Sequence, residues 1–93
     1  MDTLTAEQRA NFTAENPDWA LDGETISRTF QFDSFVDAIG FVNKVAIAAE
    51  VADHHPDIDI RWKKVTLALT THEFSGLTSR DIDSAAKADA LAG

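Results

Sequence analysis

The sequence predicts an α+β two-layer sandwich, a four-stranded antiparallel sheet with three helices on one face, in the order α-β-β-α-β-β-α. Two observations carry that expectation. The apolar period switches repeatedly between helical spacing and strict alternation along the 93 residues. Turn residues also fall at short intervals, with no repeat, low-complexity tract or linker between them, so the chain reads as one domain over 1–93.

The elements follow in order. Thr5 and Gln8 match a capping box, which opens a helix that should run to about Glu15 and stop at Asn16-Pro17. Trp19-Ala20-Leu21, Asp22-Gly23 and Ile26 through Phe32 then form a hairpin, because Asp-Gly tolerates the positive φ that a tight turn needs. Ile26, Phe30 and Phe32 share one face of the second strand and Ser27, Thr29 and Gln31 the other. Asp33 or Ser34 caps a central helix reaching roughly to Val51. Its residues Phe35, Ile39, Val42, Ala46 and Ala49 form a stripe expected to lie on the sheet. Phe41, Val45 and Ala48 form a second apolar flank, available to another neighbour such as a second subunit.

Beyond His54-His55-Pro56 the period returns to two. Ile58, Ile60 and Trp62 alternate with polar residues, as do Val65, Leu67 and Leu69, with Lys63-Lys64 as the expected turn. Ser75-Gly76 breaks the strand, and Thr78 with Asp81 opens a final Ala-rich helix.

Composition narrows the chemistry. There is no cysteine, so thiol nucleophiles, disulfides and cysteine-ligated metals are excluded. A net charge of -8 offers no footprint for a polyphosphate, which argues against nucleic acid. No apolar run reaches membrane-spanning length and the N-terminus lacks a signal-peptide pattern, so a cytoplasmic protein with no membrane association is expected.

Imidazole can give and take a proton near neutral pH, so His54, His55 and His72 are the first candidates for chemistry. Adjacent His54 and His55 project differently, so only one points squarely at a ligand. The plain reading of each is a satisfied polar residue. A zinc site is disfavoured because no H-x-x-x-H pair is present. Glu50 lies four residues before His54, where it can orient an imidazole or be a solvated carboxylate. Asp81 reads first as a capping acid. Trp19 and Trp62 can stack on a planar ligand or fill the core, and Thr70-Thr71 can offer hydroxyls or simply favour strand.

Taken together, Glu50-x3-His54-His55-Pro56, five residues to Trp62, nine to His72 and eight to Asp81 resemble the signature of the pterin-4a-carbinolamine dehydratases. Gly40-Phe41-Val42, Thr70-Thr71-His72-Glu73 and Ser75-Gly76-Leu77-Thr78 with Arg80-Asp81-Ile82 extend the likeness from about Thr5 to the last helix, and Trp19 falls where the family also carries Trp. The resemblance implies dehydration of a 4a-hydroxytetrahydropterin to quinonoid dihydropterin, recycling the pterin of aromatic amino-acid hydroxylases, on the fold derived above and with no metal or organic cofactor. It implies His54 and His72 as the acid/base pair and His55, with Pro56 beside it, holding the pterin. It also implies Glu50 orienting His54, Thr70, Thr71 and Glu73 bonding the pyrimidinone edge, Trp19 closing a wall, and Asp81 as a cap beside the site. Homodimers or homotetramers are expected of the family. The competing reading is a non-catalytic pterin- or protein-binding regulatory dimer.

Overall fold

The structure, a computed structural model, describes residues 2–93. Thr5 caps α1 (Ala6–Glu15) with the full capping box, its hydroxyl taking the Gln8 N–H and the Gln8 side chain taking the Thr5 N–H. The helix ends at Asn16, before Pro17, as steric conflict with proline requires. Two short strands follow, β1 (Ala20–Asp22) and β2 (Thr25–Gln31), joined by Gly23-Glu24. The turn is one residue later than Asp22-Gly23, because Asp22 still pairs with Thr25 and Gly23 takes the first turn position at φ 60.

Ser34 caps α2 (Phe35–Ala52) through the Asp37 N–H, and Asp53 ends it in the left-handed region at φ 51. Then come β3 (Asp57–Arg61) and β4 (Lys64–Leu69). Their turn is Trp62-Lys63, not Lys63-Lys64, since Arg61 pairs with Lys64. Trp62 therefore leaves the strand pattern, adopts φ 56 and stands 71% exposed. A 3₁₀ turn over His72–Phe74, which periodicity did not signal, precedes α3 (Ser79–Ala92).

The strands form one antiparallel sheet in the order β1-β2-β4-β3. Ile26, Phe30, Val65, Leu67 and Leu69 face one side and share a core with Phe12 of α1, Phe41 and Val45 of α2, and Ala85 and Ala88 of α3. All three helices thus cover one face, which is the predicted α+β sandwich. Phe41 sits at the centre, its ring 4.8 Å from Phe30 and 5.0 Å from Phe32. The opposite sheet face is polar, with Thr29 bonded to Thr66 across the strands.

The central helix is rotated from its predicted setting. Ala38, Phe41, Val45 and Ala49 are its buried residues, whereas Phe35 and Ala46 of the expected stripe are exposed. Both faces are apolar, so periodicity alone does not choose between them. The fit of Phe41 between Phe30 and Phe32 does.

Candidate active site

The capping acid of α3 organises the site. Asp81 occupies the third helical position after Thr78, and its Oδ2 accepts the Thr78 N–H at 2.9 Å in a second capping box. The same oxygen accepts the Thr71 hydroxyl at 2.8 Å, and Oδ1 lies 2.6 Å from His54 Nε2. Asp81 is 0% exposed and His54 only 8%. A carboxylate buried this deeply is stable only when its oxygens are bonded, and here both are.

Donor directions close into one scheme. The Arg80 N–H donates to Thr78 Oγ1 at 3.2 Å, so the Thr78 hydroxyl is free to donate to Thr71 Oγ1 at 2.9 Å. Thr71 in turn donates to Asp81. An ionised carboxylate only accepts, so His54 donates through Nε2 in this pair. Asp81 therefore pins two segments at once, the His54 turn after α2 and the strand end that leads to His72.

Glu50 departs from expectation. Its Oε1 lies 3.3 Å from His55 Nε2, so it contacts His55 rather than orienting His54, and both side chains are largely in solvent. The physical reason is the helix end. Asp53 leaves α2 in the left-handed conformation, which swings His54 inward to Asp81 and leaves His55 outside beside Glu50.

The substrate-binding set divides. Pro56 lines a groove of about 250 Å³ between α2 and α3, floored by Leu67 and Leu69, with His54 also in its lining and Arg80 and Lys87 on the α3 wall. Glu73 is exposed and accepts from Arg80 Nη1 at 3.4 Å, so the His72–Phe74 turn stands beside that residue of the groove. His72 is exposed. The Thr71 hydroxyl is committed to Asp81 and Thr78, not to a ligand edge. Thr70 donates its hydroxyl to the Glu24 carbonyl at 2.6 Å, and the β4 ladder has already ended at Leu69. Trp19 is no wall of the groove. It is 2% exposed, edge-on to Phe30, with its N–H on the Asp89 carboxylate at 3.1 Å.

Sequence reasoning gave Thr78 and Arg80 no role at the site beyond a cap and a place in the family likeness, and it passed over Glu24. The capping box made Thr78 visible, whereas the contact from Asp81 to His54 spans 27 residues and has no local signal. Among the described residues no group of three His, Asp or Glu side chains converges as a metal site.

The comparisons with known proteins bear on this geometry. The profile of the pterin 4 alpha carbinolamine dehydratase family matches residues 2–91. The chain belongs to the pterin-4-alpha-carbinolamine dehydratase family. A relative in Nocardia farcinica, provisionally named a pterin-4-alpha-carbinolamine dehydratase, is 55% identical over 96% of this chain and 94% of its own. Another, with the same provisional name, from Chloroflexus aurantiacus, is 48% identical over the full length of both chains. Among solved structures, a transcriptional coactivator/pterin dehydratase from Brucella melitensis superposes with a TM-score of 0.93 at 35% identity, covering 99% of this chain and 100% of that one. A pterin dehydratase-like RuBisCO assembly factor of the alpha-carboxysome shares the fold, with a TM-score of 0.68 at 24% identity over 81% of this chain and 87% of that one.

Proposed function

We propose that this member of the pterin-4-alpha-carbinolamine dehydratase family expels water from 4a-hydroxytetrahydropterin by histidine acid/base catalysis. The observation that carries the reading is the buried His54–Asp81 pair, whose carboxylate also holds the strand end leading to His72. In the reaction the C4a–O bond breaks and the N5–H proton leaves, forming the C4a=N5 bond of quinonoid dihydropterin. One group protonates the departing hydroxyl and another takes the N5 proton. Each positioned acid or base contributes roughly 10²–10⁴-fold.

His54, through Nδ1, and His72 are the two groups assigned here, with Asp81 holding His54 in one tautomer. His55, paired with Glu50 at the surface, and Pro56 contact the pterin, and Glu73 with the main chain at 70–71 meets its pyrimidinone edge. The reaction would recycle the pterin used by aromatic amino-acid hydroxylases, which makes such a hydroxylase the functional partner. No described helix is long and apolar enough to cross a membrane, and the acidic, cysteine-free chain suits a cytoplasmic protein. Exposed apolar residues along α2 (Phe35, Val36, Ile47 and Val51) favour a homo-oligomer, because monomers rarely leave such a strip in water.

The test is the rate of loss of freshly generated 4a-hydroxytetrahydropterin. Purified protein should accelerate it, and His54→Ala and His72→Ala should lower kcat more than they raise KM. No acceleration over buffer would leave the regulatory reading in place. An unchanged kcat in either variant would remove that histidine from the acid/base pair.

A further inference from the structure

His72 stands on a closed loop whose neck is gripped from two sides. Thr71 and Gly76 pair through main-chain bonds of 3.3 and 3.2 Å, the 3₁₀ turn spans His72–Phe74, and Ser75 closes the loop at φ 56. From the core side, Asp81 holds Thr71. From the opposite side comes Glu24, in the turn between β1 and β2 and 46 residues away from Thr70 in sequence.

Glu24 meets the loop at three points. Its carbonyl accepts the Thr70 hydroxyl at 2.6 Å, its Oε2 accepts the Leu77 N–H at 3.3 Å, and its carboxylate fills the space where a Cβ at Gly76 would stand. The carboxylate is fixed in turn by Arg9 Nη2 at 2.6 Å. Arg9 is itself braced by the carbonyls of Gly23 at 3.2 Å and Leu4 at 3.4 Å, and Leu4 N–H bonds the Leu77 carbonyl at 2.7 Å. Consistently, the Arg9 hydrogen bond holds the Glu24 carboxyl below its ordinary value.

We propose that Glu24, backed by Arg9, is a positioning residue that aims His72 by clamping both ends of its loop. The proposal rests on the acid/base reading for what His72 does. An exposed ion pair on its own adds little stability. The consequence of this one lies in geometry, since a misplacement of about 1 Å can cost roughly 10²-fold in rate.

The experiment uses the full chain and three variants. Glu24→Leu removes the acceptor for the Leu77 N–H and should lower kcat roughly 10-fold, with KM within about twofold and the His72 ring resonances shifted. Glu24→Gln keeps a carbonyl oxygen there and should retain most of kcat. The double swap Arg9→Glu with Glu24→Arg restores opposite charges but puts no acceptor at position 24, so its kcat should stay as low as that of Glu24→Leu. A wild-type kcat and unshifted His72 resonances in Glu24→Leu would overturn the clamp. So would a wild-type kcat in the double swap. If the wild-type chain shows no dehydration, the dehydratase reading fails by itself, and the His72 resonances in Glu24→Leu still decide the clamp.

Discussion

Asp81 holds three hydrogen bonds with no surface of its own, and each bond constrains a different neighbour. Its amide counterpart tests what that constraint is for. Asp81→Asn keeps the volume but replaces one acceptor by a donor, which conflicts either with the Nε2 proton of His54 or with the Thr71 hydroxyl. The expected outcome is a loss of roughly 1–3 kcal/mol in stability, read by urea denaturation. A fall in kcat of roughly 10²-fold is expected with it, from the lost tautomer preference, with KM little changed. A kcat within twofold of wild type, in a folded variant, would show that His54 needs no orienting carboxylate. Trp19 illustrates the opposite allocation: its indole N–H is spent on Asp89, which also takes Arg28 Nη1 at 2.8 Å, so this aromatic is tied into the core wall and not offered to a ligand.

At the scale of the element, α2 decides most. It is apolar on two faces, and its last turn hands the chain to the histidines through the left-handed Asp53. The packing of Phe41 against Phe30 and Phe32 sets its rotation, and that rotation places Ala49 and Ala52 on the groove that His54 also lines. Phe41→Ala should therefore cost about 3–5 kcal/mol in urea unfolding, as large buried aromatics do. Phe35→Ala, at a half-exposed position of the same helix, should cost well under about 1 kcal/mol. Equal costs would mean that the helix is turned toward the stripe read from periodicity. The last helix shows the same economy of parts, because one capping box both starts α3 and supplies the acid that holds His54.

For the molecule as a whole, α2 leaves apolar side chains in solvent. Val51 is 84% exposed, and Val36 and Ile47 lie on the same side of the helix. Ile47→Glu with Val51→Glu should lower the sedimentation coefficient toward that of a monomer, while leaving the core and the Asp81 network intact. An unchanged coefficient would place any self-association elsewhere. The net charge of -8 works against close approach of copies through polar surface, so the proposed pairing is expected to run through apolar contact.

The order of helices and strands, the capping boxes at Thr5 and Thr78, and the family were legible in the chain, because these depend on residues a few positions apart or on fixed spacings. Turns were legible to within one residue: Gly23-Glu24 and Trp62-Lys63 each lie one place from the expected pair, since pairing register across strands, not turn composition alone, fixes the closing residues. Long-range packing settles the rest: which face of α2 is core, that Glu50 reaches His55 while Asp81 takes His54, that the Thr71 hydroxyl bonds Asp81, and that Glu24 reaches the His72 loop. Those outcomes join segments tens of residues apart. Local preference is silent about such contacts, because they exist only once the sheet has brought the strand ends and helix ends together.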